Sequence, residues 1–347
     1  MNQNENQRDD EIQEVQEEEV QQLIQCLEKA NFMNSKLQLV KYQGFWTDRG
    51  GLKNILHYQR HFQAHDSDLI VASLPKTGTT WLISLLFSIV NRVKLEHQPL
   101  NKKSPLLHHN PHELVYHLEH GVYAKNPILP NPNQLDELSS PRLFYTHIPY
   151  DSLPKSIKAS SCKMLYIARN PLDTIVSSYH FYIDFIKKAT EDQDFKPPSI
   201  EDFFDDFCEG RSMTGPYFEH VVGFWKESLE QPSKVLFLKY EDLKEDPTFY
   251  SKKVAEFVGF PFSPREESEG VIDNVSELCS IKKLKELEVN KNGAMNKYVD
   301  KKTYFRKGEV GDWTNYFTPL MVDKIHKLME EKFEGTDLSF KLLPNPQ

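Results

Sequence analysis

The stretch L-I-V-A-S-L-P-K-T-G-T-T-W, residues 69–81, holds the pattern from which the rest of the fold can be worked out. A short apolar run, Leu69–Leu74, enters a loop rich in hydroxyl side chains, and an apolar segment, Trp81–Val90, leaves it. This order predicts a strand, a turn and the N-terminus of a helix. Such a junction presents free backbone N–H groups and a partial positive charge, both of which suit a phosphate.

The side chains of this loop strengthen the prediction of an anion site. Lys76 adds a full positive charge, and Thr77, Thr79 and Thr80 add hydroxyl donors. Gly78 lets the backbone curl around an anion with no Cβ in the way. The loop is not the standard G-x-x-x-x-G-K-[ST] loop, because its lysine precedes its only glycine. An ordinary junction whose threonines cap the helix therefore stays open as an alternative.

Three more apolar runs, Arg142–His147, Cys162–Arg169 and Lys234–Tyr240, predict further strands. Helical patterns follow the second and third runs, one through Val176 and one near Pro247–Val258. Strands that alternate with helices predict an α/β fold, a single domain with a mostly parallel central sheet flanked by helices. In such sheets ligands bind beyond the C-terminal ends of the strands. The residues expected at those ends are Lys76, His147, Arg169 and Tyr240.

Two more positions fit a second phosphate. Arg169 and Ser177 lie eight residues apart, at a strand end and on the helix that follows. Arg306, Lys307 and Gly308 repeat the combination of two cations and a glycine near the C-terminus. Each feature alone is typical of a solvated surface. Together they predict a nucleotide that carries phosphate at two places.

Composition limits the classes of protein to consider. The net charge of −9 argues against a generic nucleic-acid binder, and residues 1–40 hold nine acidic and three basic residues. We expect these 40 residues to be an acidic, partly disordered extension, and residues 41–347 to form one domain. Within the extension, apolar residues at helical spacing predict a helix from Val20 to Phe32. No apolar run approaches the roughly 20 residues of a membrane span, so we expect no membrane partner.

The cysteines and histidines point to a reducing compartment and to no metal. The four cysteines are widely spaced, with no C-x-x-C pair, which favours reduced thiols in a cytoplasmic protein. His57, His61 and His65 share one helical face, but no carboxylate or cysteine completes a set of ligands. His108, His109 and His112 lie in a proline-rich segment, residues 100–143, that is typical of a substrate loop or lid.

Several motifs, in this order along the chain, resemble those of the cytosolic sulfotransferases. The motifs are K-T-G-T-T-W at 76–81, T-H at 146–147, A-R-N-P-x-D at 168–173, K-Y-E-D-L at 239–243 and R-K-G-x-x-G-D-W at 306–313. The N-P-H-E-L-V and L-E-V-N-K stretches resemble the plant branch of that family. The resemblance covers about residues 40–345 and implies that residues 41–347 are a sulfotransferase domain with a P-loop-like phosphosulfate-binding loop.

The resemblance also implies a donor and a set of site residues. The donor would be 3'-phosphoadenosine 5'-phosphosulfate, with 3'-phosphoadenosine 5'-phosphate as product, and the acceptor a hydroxyl on a small molecule. The 5'-phosphosulfate would be held by Lys76, Thr77, Gly78, Thr79 and Thr80. The 3'-phosphate would be held by Arg169, Ser177, Arg306, Lys307 and Gly308. Adenine would lie against Trp81 and Tyr240, with Cys279 and Ile281 nearby.

The residue types suit in-line sulfuryl transfer without a metal. A neutral His147 can take the proton of the attacking hydroxyl near pH 7. Lys76 can meet the charge that grows on the leaving 5'-phosphate. Tyr145 stands where animal members carry a second lysine, so no second catalytic lysine is assigned. The C-terminal dimer motif of many animal members is not matched over Thr314–Asp323, so we expect a monomer.

Two other functions remain open from the residues alone, and so does the acceptor. A nucleotide kinase would use Lys76 and Arg169 and would depend on magnesium. A nucleotide-binding scaffold would recruit partners through its acidic tail and would not need His147. Aromatic residues near the expected site suit a flat or alicyclic acceptor, which leaves flavonoids, brassinosteroids, hydroxy-jasmonates and desulfo-glucosinolates open.

Overall fold

The computed structural model describes residues 17–92, 103–124, 128–190 and 194–344. Its centre is a sheet of five strands in which every neighbouring pair is parallel. Two smaller antiparallel sheets lie nearer the two ends of the chain. The strands in chain order are β1 Lys29–Asn31, β2 Gln38–Tyr42, β3 Phe45–Asp48, β4 Leu69–Ser73, β5 Tyr116–His117, β6 Leu143–Thr146, β7 Lys163–Ala168, β8 Val235–Lys239, β9 Ala294–Asn296 and β10 Val299–Asp300.

Helices occupy much of the remaining described chain. They are α1 17–26, α2 Arg49–His61, α3 Thr79–Asn91, α4 Pro111–Leu114, α5 Lys155–Ala159, α6 Pro171–Ala189, α7 Ile200–Cys208, α8 Tyr217–Glu230, α9 Tyr240–Glu245, α10 Pro247–Val258, α11 Pro264–Ser268, α12 Val271–Cys279, α13 Ile281–Glu286, α14 Glu288–Lys291 and α15 Pro319–Lys332. Within the described ranges, no helix is both long and apolar enough to cross a bilayer.

The central sheet has the order β5-β6-β4-β7-β8, with the strand of the opening motif in the middle. All five residues of β4 are buried, because the sheet carries a hydrophobic core on each face. Ile70 and Ala72 face one core, and Leu69 and Val71 face the other. This alternation is the period of two that a strand imposes on its side chains. The predicted α/β class and parallel sheet are confirmed.

The predicted strand-to-helix junctions are also present. Gly78 occupies the N-cap of α3, which contains the apolar segment after the loop. Asn170 caps α6 by accepting a hydrogen bond from the backbone N–H of Asp173, and Pro171 takes the first helical position. Both helices therefore begin directly after a central strand, with their N-termini at the C-terminal edge of the sheet.

The N-terminal segment differs from the sequence prediction. The predicted helix over Val20–Phe32 ends by residue 26, and Lys29–Asn31 forms β1, which pairs with β2. Phe32 and Met33 are buried in the main core beyond that strand. The expected boundary between residues 40 and 41 falls inside β2, and residues 17–40 pack onto the domain. Of the extension that we expect to be partly disordered, residues 1–16 lie outside the described residues, and residues 17–26 are helical.

The proline-rich segment at 100–143 is only partly irregular. It contributes α4, the edge strand β5 and one turn of π-helix, Leu118–Val122. Residues 100–102 and 125–127 of this segment lie outside the described residues. The π-helical turn follows β5 directly, so it lies at the same edge of the sheet as the ends of β4 and β6.

Candidate active site

A cavity of about 800 Å³ opens at the C-terminal edge of the central sheet. The four residues expected at the strand ends, Lys76, His147, Arg169 and Tyr240, all line it. The structure thus brings together side chains that are up to 164 positions apart in the sequence because parallel strands end at one edge.

Lys76 lies at the turn between β4 and α3 with a positive φ of 70°. Its ammonium group donates to the carbonyl of Thr303 at 3.1 Å and lies 4.7 Å from the centre of the Phe181 ring. Burial, reinforced by the guanidinium groups of Arg306 and Arg169, lowers the pKa of Lys76 to about 7. The two guanidinium groups thus lie close enough to repel the Lys76 ammonium, and an anion between them would relieve this repulsion.

Gly78 occupies the tightest point of the loop. Its φ is 122°, and a Cβ there would lie 2.8 Å from Ile167 Cδ1 and 2.9 Å from Tyr240 Cδ2. A side chain at this position would therefore be strained and would collide with the aromatic wall.

The three threonines of the loop have different roles. Thr77 donates its hydroxyl to the carbonyls of Leu74 and Ile167 and does not line the cavity, so the expectation of a hydroxyl donor there needs correction. Its hydroxyl thus links the turn after β4 to the end of the neighbouring strand β7. Thr79 and Thr80 do line the cavity.

The hydroxyls of Thr79 and Thr80 have partners beyond the loop. Thr79 Oγ1 hydrogen-bonds with Ser73 Oγ at 2.7 Å. Thr80 Oγ1 hydrogen-bonds with His112 Nε2 at 2.9 Å, and His112 Nδ1 contacts the Tyr145 hydroxyl at 2.8 Å. Burial lowers the pKa of His112 well below its usual value, so this imidazole is neutral at pH 7.

Arg169 combines a fixed orientation with an unused donor. Its guanidinium lies 4.7 Å from the centre of the Tyr240 ring and 3.4 Å from Asp173 Oδ2. One Nη donates to the carbonyl of Glu309, while the buried Nε has no hydrogen-bond partner among the described residues. Ser177 lies two helical turns along α6 and lines the same cavity.

The loop at 306–308 supplies two more cations. Arg306 and Lys307 both donate to the carboxylate of Asp312, which is buried. Arg306 Nε is also buried with no partner in the described chain. Gly308 has a φ of 70°, and a Cβ there would lie 2.9 Å from Ile281 Cγ2.

Aromatic and apolar side chains lie between the two groups of cations. Trp81 and Tyr240 meet edge to face with ring centres 5.4 Å apart, and Ile281 lines the cavity beside them. Tyr240 is fixed by donating its hydroxyl to the carbonyl of Gly308 at 2.9 Å. The prediction for Cys279 is not met, because its thiol is enclosed in the core 3.2 Å from Ser88 Oγ and does not line the cavity.

His147 follows the end of β6 and lines the same cavity. Its Nδ1 is 2.7 Å from the carbonyl of Ser73, so Nδ1 carries the proton and Nε2 is the basic nitrogen of the neutral ring. Its backbone N–H donates to the carboxylate of Glu119. Burial, and then the neighbouring His117, lowers the pKa of His147 to about 3. The ring is therefore neutral at pH 7 and able to accept a proton.

Several functional residues were missed by the sequence reasoning. Glu119, in the π-helical turn, is fully buried and accepts hydrogen bonds from Thr146, His147 and His117. Asp173 and Asp312 form hydrogen bonds and ion pairs that hold the 306–313 loop in place. The sequence feature that could have identified Asp312 is its position in the R-K-G-x-x-G-D-W motif. No pattern in the sequence points to Glu119.

The rest of the cavity lining is of mixed character. Apolar and aromatic side chains dominate its walls, and a few polar ones interrupt them. The lining residues of this region include Leu37, Phe181, Tyr182, Phe185, Met213 and Met295, with the polar Asp48, Asn54, His117 and His120. The described residues contain no group of three or more His, Cys, Asp or Glu arranged to hold a metal ion.

The arrangement has two cationic sites with an aromatic wall between them and a neutral histidine at one end. The buried Nε atoms of Arg169 and Arg306 are donors without an acceptor, and leaving such donors unpaired is costly. An anion with oxygens at this place would satisfy both. The site thus offers donors for phosphate oxygens at two places, and His147 adds a neutral imidazole to the lining of the same cavity.

Comparisons with known proteins agree with this geometry. The family model described as "Sulfotransferase domain" matches residues 66–337. The chain is 44% identical to cytosolic sulfotransferase 5 of Arabidopsis thaliana, over 93% of this chain and 97% of that protein. It is also 44% identical to flavonol 3-sulfotransferase of Flaveria bidentis, over 90% of this chain and 96% of that protein.

A solved structure gives the same result for the fold. The chain superposes on a mouse sulfotransferase crystallised with PAP with a TM-score of 0.65, at 26% identity, covering 86% of this chain and 95% of that one. PAP is 3'-phosphoadenosine 5'-phosphate, so a protein with this fold binds the nucleotide that the sequence analysis expects as product.

Proposed function

Because this chain belongs to the sulfotransferase family and is an enzyme that uses 3'-phosphoadenosine 5'-phosphosulfate, we propose that His147 is its catalytic base. The acceptor is a small-molecule hydroxyl compound, and the transfer is in line. One observation carries the proposal: Nδ1 of His147 is committed to the carbonyl of Ser73, which leaves Nε2 as the basic atom of the cavity.

The residues present fit the donor. Lys76, Gly78, Thr79 and Thr80 would hold the 5'-phosphosulfate at the N-terminus of α3. The 3'-phosphate would satisfy the unpaired Nε atoms of Arg169 and Arg306, with Ser177, Lys307 and Gly308 beside it. Trp81 and Tyr240, which meet edge to face, offer adenine an aromatic wall. Bound there, the donor supplies an activated sulfuryl group.

The chain's own groups then handle the charge and the proton. His147 Nε2 accepts the proton of the acceptor hydroxyl as its oxygen forms a bond to sulfur. The bond from sulfur to the 5'-phosphate oxygen breaks, and Lys76 in its ammonium form meets the electron pair left on that oxygen. Lysine, arginine and helix N–H groups together can neutralise the donor, so the proposed mechanism uses no metal.

The acceptor belongs to the classes that suit a half-apolar cavity: a flavonoid, a brassinosteroid, a hydroxy-jasmonate or a desulfo-glucosinolate. The similarity to a flavonol 3-sulfotransferase supports the first of these. We also propose that the protein is a monomer, since Thr314–Asp323 lacks the dimer motif of animal members. The expected cytoplasmic location agrees with the names of the plant relatives.

A substitution of His147 tests the assignment of the base. We expect His147→Ala to lose turnover by on the order of a thousandfold, since general base catalysis contributes about 10²–10⁴-fold. Binding of 3'-phosphoadenosine 5'-phosphate, measured by calorimetry, is expected to survive. His109→Ala is the control, because His109 is exposed and does not line the cavity. If the His147 variant retains its turnover, another group is the base.

A further inference from the structure

A second histidine, His117, lines the cavity next to His147. The two rings are nearly perpendicular, at 80°, and their centres are 4.9 Å apart. His117 is at the C-terminal end of β5 and His147 follows the end of β6, so two adjacent parallel strands place both imidazoles at one edge. The assignment of His147 as base leaves the role of His117 open.

Two contacts fix the His117 ring. It stacks on Tyr145 with ring centres 4.3 Å apart and planes 21° apart. Its Nε2 lies 3.0 Å from Glu119 Oε1. Although burial alone would raise the pKa of Glu119, the neighbouring imidazoles, His117 foremost, hold it well below its usual value. Glu119 is therefore an anion and an acceptor, so the proton of neutral His117 resides on Nε2.

The other ring nitrogen of His117 is then available to a ligand. Nδ1 has no hydrogen-bonding partner among the described residues, and it is not enclosed in the core. A neutral ring offers a lone pair at Nδ1 to a hydroxyl, and a protonated ring offers an N–H to a carbonyl or phenolate. In either form the position recognises an oxygen atom beside the one that reacts.

We propose that His117 is a specificity-determining residue that selects acceptors with a second oxygen on the carbon next to the reacting hydroxyl. Such acceptors are α-hydroxy ketones, catechols and vicinal diols. Two oxygens on neighbouring carbons lie about as close as hydrogen-bonded atoms, roughly 2.8 Å. Adjacent imidazoles 4.9 Å apart at their centres can each contact one of them. The inference rests on His147 as the base and adds the substrate class.

His120 is the nearest rival for this role. It also lines the cavity, 5.2 Å from His117 between ring centres. His120 lies beside Gly51 and Asp48 at the start of α2. No hydrogen bond comparable to that of His117 with Glu119 fixes its ring within the described chain. The geometry therefore assigns the second oxygen to His117.

Two flavones that each carry a single hydroxyl test the proposal. In 3-hydroxyflavone the hydroxyl neighbours the ring carbonyl, and in 7-hydroxyflavone it has no neighbouring oxygen. With saturating donor, we expect the wild-type kcat/KM to favour 3-hydroxyflavone by roughly tenfold or more, the factor that one hydrogen bond supplies. 4-Methylcatechol and p-cresol form a second pair, with the same expected direction.

His117→Phe is the decisive variant, because a phenyl ring can keep the stacking on Tyr145 while it loses the nitrogen. We expect it to lower kcat/KM for 3-hydroxyflavone about tenfold more than for 7-hydroxyflavone, and to leave the affinity for 3'-phosphoadenosine 5'-phosphate unchanged. The ratio between the two flavones is the readout, because the loss of the Glu119 contact acts on both. His109→Phe, at an exposed site outside the cavity, is the matched control.

Each other outcome contradicts the proposal. A wild-type protein that shows no preference within either pair overturns it without any variant, even if His117→Phe fails to fold. Equal losses on both flavones would mean that His117 only supports the site. A change of preference in His120→Phe but not in His117→Phe would move the role to His120. None of these results affects the assignment of the base, which depends on turnover by His147→Ala.

Discussion

The role of a single side chain in this site can be inferred from a hydrogen-bond partner that it lacks. One Nη atom of Arg169 contacts both Asp173 and the carbonyl of Glu309, while its buried Nε has no partner in the described chain. A buried donor without an acceptor is expensive unless a ligand supplies one. The side chain is therefore built for the bound state, and its removal acts mainly on binding.

Arg169→Ala is expected to weaken the binding of 3'-phosphoadenosine 5'-phosphate by about 2–4 kcal/mol, because the 3'-phosphate would lose a charged partner in a buried site. Isothermal titration calorimetry measures this loss. Arg211→Ala is the control, since Arg211 pairs with Asp206 at the surface and does not line the cavity. An unchanged affinity in the Arg169 variant would refute its assignment to the 3'-phosphate.

The lowered pKa of Lys76 predicts that the protein takes up a proton when it binds the donor. Its pKa is lowered to about 7 in the free protein, so at pH 8 most molecules carry a neutral amine. A phosphate beside it raises the pKa and restores the ammonium ion. We expect affinity to fall as pH rises above 7, by up to about tenfold per pH unit.

Calorimetry at pH 8 in two buffers of different ionisation enthalpy detects this uptake of a proton. The apparent binding enthalpies are expected to differ in wild type and to agree in Lys76→Met. Identical enthalpies in the wild-type protein would show that Lys76 is already charged before the nucleotide binds.

Among the elements, the turn between β4 and α3 has the least freedom. Gly78 combines a positive φ with a close approach to Ile167 and Tyr240 from the neighbouring strand ends. Because Gly78 has no side chain, Tyr240 can come within contact distance of the loop while the loop curls around a phosphate. Both the packing against Tyr240 and the binding of a phosphate therefore require glycine at this position.

Gly78→Ala is expected to lower stability by about 1–3 kcal/mol and to weaken nucleotide binding, through backbone strain and a collision with Tyr240. Gly259→Ala is a matched control, because Gly259 also has a positive φ, 84°, but nothing lies within 4 Å of the added Cβ. Thermal unfolding and calorimetry compare the two. If both variants bind the nucleotide equally well, the contact with Tyr240 does not matter.

For the whole molecule, buried imidazoles couple stability to pH. Burial lowers the pKa of His147 to about 3 and of His220 to about 4, and it also lowers the pKa values of His112 and His120. In the unfolded chain these groups titrate near 6.5. The unfolded state thus binds more protons below pH 6.5, and stability falls as the pH drops from about 6.5 towards 4.

Thermal unfolding between pH 7 and pH 4.5 measures this loss of stability. We expect the melting temperature to fall steadily below pH 6.5, and to fall less steeply in His220→Gln, which removes one buried imidazole. A melting temperature that stays constant down to pH 5 would contradict the burial of neutral histidines.

The limit of prediction from the sequence is clearest where the local pattern and the tertiary packing favour different structures. The sequence predicted four of the five central strands, β4, β6, β7 and β8, because each is a short apolar run with cap or turn residues after it. It did not predict the edge strand β5 or the pair of β9 and β10. The helix predicted over Val20–Phe32 was wrong in its second half. There, pairing of Lys29–Asn31 with β2 outweighed the local helical spacing.

Sequence alone determined the fold class, the phosphate-binding loop and the edge where the site forms, since these follow from local pattern and from the rule that parallel strands end together. Only the tertiary structure decided which side chains reach the cavity. It turned Thr77 and Cys279 into the protein and brought Glu119 and His117 to His147. The physical reason is that a side chain's direction and partners depend on contacts between residues distant in the sequence, which no local pattern records.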